Sequence, residues 1–330
     1  MNILVTGGAG YIGSHVVLEL LQAGHEVVVI DDLSTGQREL VDDDARLVIG
    51  DIGDFELISS LLEDGEVDAV IHFAGSIVVP ESVAHPLKYY FNNTAKTRTL
   101  LEACVGADIR YFVFSSTAAV YGEPKAIPVA ESAPTTPVNP YGRSKLMIEQ
   151  MLRDVAFAHD FHFAALRYFN VAGADPLGRT GQSTPNATHL IKVATQAALG
   201  VRSELAIFGT DYPTPDGTCI RDFIHVSDLA DVHVRALNYL VDGGQSRALN
   251  CGYGRGFSVR QVADAVRRVS GQDFPVSDAP RRAGDPPEIV ADPTRLERLF
   301  EWTPKHADLD EIVSTALAWE KSWQARSKDA

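Results

Sequence analysis

The chain has 330 residues, of which 45% are hydrophobic and 22% charged, and its formal net charge is −15. This composition is typical of a globular protein of about two domains, and the acid excess argues against a nucleic-acid or anionic-membrane surface. No apolar run approaches the ~18 residues that a membrane-spanning helix needs. Because residues 2–6 already have the pattern of a strand, we expect no signal or transit peptide and a cytoplasmic protein.

The three cysteines, Cys104, Cys219 and Cys251, have neither paired spacing nor metal-ligand spacing. Such separation predicts reduced, mostly structural thiols. We therefore expect no metal site. Any bound phosphate would have to be held by helix N-termini and by a few well-placed arginines.

The first strand leads into a glycine-rich turn, in which Gly7, Gly10 and Gly13 are spaced three residues apart, and then into a helical pattern over residues 14–23. Glycine allows the tight turn and lets backbone N–H groups approach a pyrophosphate at the helix N-terminus. The order of strand, turn and helix therefore predicts a dinucleotide-binding unit.

A second strand over residues 26–30 ends in Asp31, which lies 18 residues after Gly13. That is close to the roughly 20 residues expected for a carboxylate that binds an adenosine ribose. Because a carboxylate there repels a 2′-phosphate, NAD is favoured over NADP. The alternative is that residues 31–36 form a polar loop that caps a helix.

Strand and helix patterns continue to alternate up to residue 170. The further strands are predicted at residues 46–49, 69–75, 110–117 and 163–170, and the further helices at residues 55–62, 87–105 and 141–159. Repeated strand–helix units predict a Rossmann-like, doubly wound parallel sheet of the α/β class. His72 lies inside the fourth strand, and we expect it to be packed rather than catalytic.

A Tyr141-x-x-x-Lys145 pair places a phenol and an ammonium on one face of a helix. A neighbouring ammonium favours the phenolate and so lowers the phenol pKa towards the range that acid–base catalysis needs. Thr117 ends the fifth strand, and the carboxyl end of a strand is where an open α/β sheet holds its ligand. We expect the three side chains to meet over one bound group, beside a wall formed by residues 122–140. The alternative is an ordinary amphipathic pair.

The pattern changes after Gly173, because residues 175–186 lack apolar periodicity, and we place a domain boundary there. Beyond this loop, helices are predicted at residues 190–199, 228–240, 259–269 and 309–323, and strands at residues 205–208, 221–226 and 248–251.

Six motifs, spread in order over nearly the whole chain, resemble those of the extended short-chain dehydrogenase/reductase family. They are Thr6-Gly-Gly-Ala-Gly-Tyr-Ile-Gly13, Phe73-Ala-Gly75, Ser115-Ser-Thr-Ala-Ala-Val-Tyr-Gly122, Tyr141-x-x-x-Lys145, Arg167-Tyr-Phe-Asn170 and Arg221-Asp-Phe-Ile-His-Val226. The later motifs resemble those of its nucleotide-sugar epimerases. The resemblance implies an NAD-binding Rossmann domain over residues 1–173 and a smaller α/β domain for a nucleotide sugar over residues 174–330, with some segments packed back on the first.

The resemblance also implies a role for individual residues. Tyr141 would be the base, Lys145 its electrostatic partner, also bonded to the nicotinamide ribose, and Thr117 would bond the 4-hydroxyl of the sugar and help to move its proton. With Tyr141 and Lys145, the implied cofactor contacts are the glycines of the turn, Gly7, Gly10 and Gly13; Tyr11 and Ile12 at the pyrophosphate; Asp31, Asp32, Leu33, Ser34, Thr35 and Gly36 at the adenosine ribose; Asp51 and Ile52 at the adenine; and Phe73, Ala74, Gly75, Asn92 and Phe169 along the rest of the cofactor. With Thr117 and Tyr141, the implied substrate contacts are Asn170, His189, Leu190, Ala206, Phe208, Arg221, Arg282 and Asp285.

Arg221 and Arg282 suit the diphosphate of a nucleotide sugar in an otherwise acidic chain, although either arginine alone could form a surface ion pair.

Three places in the chain depart from the family pattern. Ser76-Ile77 replaces a segment in which some members carry a lysine, and Thr188-His189 replaces an Asn-Asn pair. Ile289 aligns with a tyrosine of some members, which would leave a roomier hexose pocket.

The reaction implied is the interconversion of UDP-galactose and UDP-glucose, by transient oxidation at carbon 4 with bound NAD and return of the hydride to the opposite face. The family also implies a homodimer through the helices at residues 87–105 and 141–159. A 4-epimerase of UDP-N-acetylhexosamine or UDP-glucuronate stays open, as does a non-catalytic NAD-binding sensor. A 4,6-dehydratase is disfavoured, because Ala118 and Ala119 stand where that chemistry needs an Asp-Glu pair.

Overall fold

The structure is a computed structural model of the chain and describes residues 1–64, 66–185, 187–282 and 284–329. The strands are β1 (Asn2–Thr6), β2 (Glu26–Asp31), β3 (Arg46–Ile49), β4 (Ala69–His72), β5 (Tyr111–Thr117), β6 (His162–Tyr168), β7 (Asn170–Ala172), β8 (Leu205–Phe208), β9 (Ile220–His225), β10 (Arg247–Cys251), β11 (Gly256–Ser258), β12 (Val276–Ala279) and β13 (Glu288–Ile289).

The α-helices are α1 (Tyr11–Gln22), α2 (Phe55–Asp64), α3 (Val79–Ala84), α4 (Pro86–Tyr89), α5 (Lys96–Gly106), α6 (Pro140–Ala158), α7 (Leu190–Ala198), α8 (Val226–Val241), α9 (Val259–Ser270), α10 (Thr294–Phe300) and α11 (Leu309–Asp329). A π-helical turn, Tyr90–Ala95, joins α4 to α5, and a 3₁₀ turn, Ala118–Tyr121, follows β5.

A parallel sheet of seven strands, in the order β10-β6-β5-β4-β1-β2-β3, forms the centre of the molecule. From β1 the chain first builds outwards through β2 and β3, and then returns to the other side of β1 with β4. The direction of winding therefore reverses between β1 and β4. In open α/β sheets, the crevice outside the carboxyl ends of the strands at such a point is where ligands bind.

Helices cover both faces of this sheet, and the strands are correspondingly rich in buried apolar residues. Ile3 and Val5 of β1 pack with α1 and α8 on one face, whereas Leu4 packs with α2, α5 and α6 on the other. This alternation follows from the two-residue period of a strand. The two cores fix the edge at which the functional side chains emerge.

The start of α6 is determined locally by its sequence. The side chain of Asn139 accepts a hydrogen bond from the backbone N–H of Gly142 at 2.9 Å, and Pro140 occupies the first helical position. An N-cap asparagine followed by proline is a favoured helix start, since proline lacks only an N–H that would have no partner there. This start places Tyr141 at the mouth of the crevice.

A smaller set of elements packs beside the carboxyl edge of the main sheet. Strand β9 pairs with β7, β11 and β13, β8 pairs with β12, and α7, α9 and α11 enclose a separate apolar core. The buried carboxylate of Asp222 on β9 accepts backbone N–H bonds from Tyr253 at 2.9 Å, Gly254 at 2.9 Å and Ala291 at 3.1 Å. Three chain segments are thus joined at one side chain.

The fold class predicted from the sequence, a Rossmann-like sheet with a smaller α/β part, is confirmed. The boundary at residue 173/174 stays a prediction. After that residue, α8 packs on α1, and β10 forms the edge of the main sheet beside β6. Residues 175–185 have no helix or strand, and residue 186 of the predicted loop lies outside the described part.

Some predicted elements differ from the observed ones. The predicted helix over residues 87–105 is divided into α4, a π-helical turn and α5, and the predicted strand over residues 163–170 ends at Tyr168 before the separate strand β7. Strands β11, β12 and β13 and helices α3 and α10 were not predicted from the sequence. These elements have two to seven residues, too few to show a period.

No helix in the described ranges of the chain is both long enough and apolar enough to cross a membrane.

Candidate active site

A cleft of about 890 Å³ opens along the carboxyl edge of the main sheet. Its walls include Gly7 after β1, Asp31 at the end of β2, Phe73 after β4 and Thr117 at the end of β5. The volume lies near the top of the roughly 300–1,000 Å³ range of ligand pockets. This is the crevice that the reversal of strand order predicts.

The glycine-rich turn fits a pyrophosphate. A Cβ atom on Gly13 would lie 2.3 Å from the carbonyl oxygen of Gly7, and one on Gly7 would lie 2.6 Å from the backbone nitrogen of Ala74. Gly10, the N-cap of α1, supplies no side-chain cap, so the first turn of this helix faces the cleft without a side-chain acceptor. Backbone N–H groups at an uncapped helix start bind anions.

Asp31 lies at the adenosine end expected of a dinucleotide. Its buried carboxylate accepts backbone N–H bonds from Ala9 at 3.0 Å and from Leu33 at 2.9 Å. Burial raises its pKa, which these two bonds partly offset. One accepted bond per oxygen leaves each with a lone pair for a ligand hydroxyl. Residues 31–36 do not cap a helix through a side chain, since Gln37 is the N-cap of the next turn.

Asp51, the other predicted adenosine contact, forms an ion pair that no motif indicated. Its Oδ2 atom lies 2.5 Å from Nζ of Lys96, and its Oδ1 atom accepts the backbone N–H of Gly53 at 2.8 Å. Burial raises the pKa of Asp51, but the bonds from Lys96 and Gly53 outweigh it, so the pKa is below its ordinary value. Asp51, Ile52 and Lys96 all line the cleft.

The three residues expected at the centre of the chemistry are close together. Thr117 and Tyr141 both line the cleft, and the Thr117 side chain is close enough to the phenol to act on its pKa. Lys145 is buried behind them: its Nζ atom donates to the carbonyl oxygen of Ser115 at 2.8 Å and lies 5.0 Å from the centroid of the Phe114 ring. The strand end and the helix start thus bring a phenol, a hydroxyl and an amine to one place.

The expected lowering of the Tyr141 pKa is wrong. Burial raises the pKa of this phenol, and only the Thr117 hydrogen bond acts in the opposite direction. Burial also lowers the pKa of Lys145 to about 7. Both shifts have one physical reason, since a site shielded from water disfavours either isolated charge. The amine donates its hydrogen bond to the Ser115 carbonyl oxygen.

The π-helical turn places two asparagines against the wall of the cleft after β4. Asn93 accepts the backbone N–H of Ser76 at 2.7 Å and donates to its carbonyl oxygen and to Ser144 Oγ, both at 3.0 Å. Asn92 donates to Ser76 Oγ at 3.0 Å. Ser76, which stands in the segment where some members of the family carry a lysine, is therefore held in the wall by hydrogen bonds from both asparagines.

His72 is packed, as predicted. Its ring nitrogens lie 2.6 Å from Thr6 Oγ1 and 2.8 Å from Thr97 Oγ1, and the ring stacks on Phe114. Burial, and then the nearby charge of Lys145, lower its pKa to about 3. A histidine with both nitrogens satisfied in the core has no proton to exchange with a ligand in the cleft.

The opposite wall of the cleft comes from the smaller part of the chain. Arg221 on β9 forms an ion pair with Asp285 and donates to the carbonyl oxygens of Ile220 at 2.7 Å and Pro286 at 2.8 Å. Next to Asn170, a ring nitrogen of His189 lies 2.6 Å from the side-chain nitrogen of Gln182. Burial, and then Lys192, lower the pKa of His189 to about 4.

Most of the predicted site residues line this cleft. They are Gly7, Gly10, Tyr11, Ile12, Gly13, Asp31, Asp32, Ser34, Thr35, Gly36, Asp51, Ile52, Phe73, Ala74, Gly75, Asn92, Thr117, Tyr141, Phe169, Asn170, His189, Arg221 and Asp285. Their individual roles stay predictions.

The other predicted residues lie elsewhere. Lys145 is buried behind the wall. Leu33 has a positive φ of 56°, and its backbone N–H donates to Oδ1 of Asp31. Leu190 borders a smaller cavity beside His189. Ala206 and Phe208 lie on β8, and the Arg282 guanidinium lies 3.9 Å from the centroid of the Phe208 ring. These last three do not border the cleft among the described residues.

Sequence reasoning missed a buried network behind the site. Glu149, two turns after Tyr141 on α6, pairs with Arg167 of β6 through contacts of 2.9 and 2.6 Å and accepts from Ser116 Oγ at 2.6 Å. Arg167 also donates to the hydroxyl of Tyr121 at 2.8 Å. The only signal available was a Glu and an Arg within otherwise apolar patterns. The network ties the helix that carries Tyr141 to the strand that carries Thr117.

An uncapped glycine turn at the reversal of a parallel sheet, with a Tyr-x-x-x-Lys pair at the carboxyl edge, defines a dinucleotide-binding protein of the extended short-chain dehydrogenase/reductase class. Residues 3–252 match the NAD dependent epimerase/dehydratase family, and the chain belongs to that family.

Relatives and solved structures agree with this assignment. The UDP-glucose 4-epimerase of Azospirillum brasilense is 62% identical over 321 residues, which cover 97% of this chain and 92% of that protein. The crystal structure of UDP-glucose 4-epimerase from Brucella ovis in complex with NAD is 45% identical, with a TM-score of 0.93 over 96% of this chain and 97% of that one. The UDP-Glc/GlcNAc 4-epimerase of Campylobacter jejuni is 49% identical, with a TM-score of 0.85 over 97% and 99% of the two chains.

Proposed function

We propose that this protein is an NAD-dependent epimerase that interconverts UDP-galactose and UDP-glucose. The observation that carries the proposal is that Thr117 and Tyr141 meet in the wall of one cleft, with Lys145 behind them, and that the glycine turn borders this cleft on one side and Arg221 on the other. When bound, NAD supplies a hydride acceptor for carbon 4 of the sugar and returns the hydride to it.

The proton moves through residues of this chain. A threonine hydroxyl has one donor and two acceptor sites, so Thr117 takes the proton of the sugar 4-hydroxyl while it gives its own to the Tyr141 phenolate. Lys145, one turn further along α6, is the cation that would stabilise this phenolate once both side chains are charged, because opposite charges in a buried site stabilise each other. On hydride return the proton passes back along the same path, so no proton is lost in a turnover.

Inversion requires the sugar to turn while the rest of the molecule stays bound. Arg221, fixed by Asp285 and by two backbone carbonyl groups, supplies a guanidinium on the wall opposite the glycine turn. A bidentate cation suits the diphosphate of UDP. The nucleotide is thus anchored on one wall, and the sugar reaches Tyr141 on the other.

Conversion of UDP-galactose to UDP-glucose by the purified protein with NAD tests this function. We expect Tyr141→Phe to lower kcat by roughly 10²–10⁴, the contribution typical of a general acid–base group, with NAD still bound. A non-catalytic sensor would show no conversion in the unsubstituted protein. A Tyr141→Phe variant with full activity would exclude Tyr141 as the base.

A second candidate substrate class is the UDP-N-acetylhexosamines. Ile289 is buried in the wall of the cleft, where some members of the family carry a tyrosine. We expect Ile289→Tyr to reduce turnover of UDP-N-acetylgalactosamine about tenfold relative to UDP-galactose, because the larger ring fills the space that an acetamido group needs. If both activities fall together, Ile289 does not select the sugar.

UDP-glucuronate is disfavoured by the charges on the walls. In the described part of the chain, the cations that line the cleft are Lys88, Lys96 and Arg221. They pair with Glu81, Asp51 and Asp285 respectively. A carboxylate at carbon 6 would have to compete with these partners, whereas a neutral hexose would not.

We propose that a second copy of the chain covers the face formed by α4, α5 and α6. Exposed apolar side chains mark this face, with Leu87 79%, Phe91 64%, Met147 40% and Phe157 94% exposed. Exposed apolar side chains on neighbouring elements, here α4, the π-helical turn and α6, are the kind of surface that a protein contact covers. Light scattering should give the mass of a dimer, and Leu87→Glu should shift this mass towards that of a monomer.

A location in the cytoplasm stays part of the proposal.

A further inference from the structure

Lys96 is the first residue of α5, outside every motif that the sequence analysis used, yet it lines the cleft beside the predicted adenine contacts. Its side chain is 16% exposed, against 55% for Lys88, the other lysine of the cleft wall in the described residues. A largely buried ammonium is costly unless it is paired, and Asp51 is its partner at 2.5 Å.

The surroundings of Lys96 restrict its side chain. A Cβ atom on Gly53 would lie 3.0 Å from the Lys96 Cγ atom, and Nζ lies 5.6 Å from the centroid of the Phe91 ring. Gly53 is also the residue whose backbone N–H holds the second oxygen of Asp51, at 2.8 Å. The lysine stem, the glycine and the carboxylate therefore form one packed unit with a defined orientation.

This unit leaves each oxygen of the carboxylate free to accept one more bond. Each Asp51 oxygen has one partner, Lys96 on Oδ2 and Gly53 on Oδ1, and a carboxylate oxygen can accept two. The side chain of Asp51 is 43% exposed, so the remaining acceptor sites are accessible from the cleft. Adenine carries an exocyclic amine, which is a donor, whereas hypoxanthine has a carbonyl acceptor at the same position.

We propose that Lys96 is a positioning residue for the cofactor: it fixes the Asp51 carboxylate so that this group accepts the exocyclic amine of the adenine and discriminates against dinucleotides that lack the amine. The inference rests on the proposed use of NAD and extends it to a residue at the far end of the cleft from Tyr141. Without the Lys96 ammonium, Oδ2 of Asp51 would lose its hydrogen-bond partner and the carboxylate could rotate. Its hydrogen bond to the adenine amine would then be weaker.

Affinity, not activity, tests the proposal. The full-length protein, freed of dinucleotide, is titrated with NAD and with nicotinamide hypoxanthine dinucleotide. We expect the unsubstituted protein to prefer NAD at least about tenfold, the value of one hydrogen bond to a charged group. Lys96→Met should weaken NAD binding by about tenfold and binding of the hypoxanthine analogue less than about threefold. Lys96→Arg should restore most of the preference.

Two further variants make the result specific. Lys88→Met removes another paired lysine of the cleft wall and should leave the ratio of the two affinities unchanged. Asp51→Asn should abolish the preference, and Lys96→Met added to it should lower the ratio no further, because the two side chains act as one unit.

Equal weakening of both dinucleotides by Lys96→Met would overturn the proposal in favour of a general electrostatic or structural role. An unchanged NAD affinity would overturn it as well, while conversion of UDP-galactose by the unsubstituted protein would leave the proposed function intact. If the unsubstituted protein bound neither dinucleotide, the proposed function and this inference would both be wrong.

Discussion

The two halves of the cleft are built in different ways. The cofactor half is bordered by short stretches of the first strands and their turns, such as residues 7–13 and 31–36. The substrate half is bordered by side chains from segments far apart in the chain, including Asn170, His189 and Arg221. We infer that the shape of the cofactor half depends on the local backbone conformation of these turns. The shape of the substrate half depends on how distant segments of the chain pack together.

The largest effect is expected where the cofactor half is tightest. Gly13→Ala places a Cβ atom 2.3 Å from a backbone oxygen, which no side-chain movement can relieve. We expect the variant to lose at least about 2 kcal/mol of stability, as overpacking does, and to purify without NAD. Thermal unfolding and the dinucleotide content of the purified protein measure this.

Gly106→Ala is the matched control, because a Cβ atom there meets nothing within 4 Å. It should keep its NAD and its stability. A Gly13→Ala variant that also kept both would show that the turn tolerates a side chain, and the contrast between the two halves would no longer hold.

The next effect concerns the substrate half. Arg221→Met should raise KM for UDP-galactose by about 10–100-fold, the loss expected for a charged hydrogen-bonding group, and leave NAD binding unchanged. Arg281→Met serves as the control, because Arg281 pairs with Asp211 on the surface and does not border the cleft in the described residues. Loss of NAD by the Arg221 variant would mean that the two halves are not separable.

The smallest effect is a dependence of stability on pH that both halves share. Burial is the first cause that lowers the pKa of His15, His72, His189, His225 and His233, to values of about 3 to 4. Their pKa in the unfolded chain is about 6.5. As pH falls below 6.5, the unfolded chain binds more protons than the folded one, so the free energy of unfolding decreases towards pH 4.

Each such histidine adds to this decrease, because it gains a proton only when the chain unfolds. Asp222 acts in the opposite direction, because burial raises its pKa to about 6 and the folded state then binds an extra proton. Urea unfolding between pH 7 and 4.5 measures the slope. His72→Gln, in the cofactor half, and His189→Gln, in the substrate half, should each reduce it, and an unchanged slope in either variant would show that the histidine is not buried in neutral form.

This difference in construction also explains what the sequence could predict. The glycine turn, the strand that ends in Asp31 and the Asn139-Pro140 start of α6 are local, since a few neighbouring residues determine them. The fold class follows from the repetition of such units. The predicted cofactor residues accordingly border the cleft, apart from Leu33 and the buried Lys145.

The parts that were missed depend on contacts between distant segments. Lys96 meets Asp51 across 45 residues, and Glu149 meets Arg167 only because α6 packs on the sheet. Nothing in the neighbouring residues indicates these pairs. The raised pKa of Tyr141 was missed for the same reason, since burial is a property of the whole fold and not of a four-residue spacing.

The carboxylate of Asp222 has a consequence for how the chain comes apart. It joins β9 to the backbone at residues 253–254, just beyond the edge strand β10, and to the backbone at residue 291. Strand β7, which precedes residue 173, also pairs with β9. A fragment cut at residue 173 would lose that pairing and expose the apolar face of α8, which packs on α1 in the whole molecule. Expressed alone, residues 174–330 should not fold, and the intact protein should melt in a single cooperative transition.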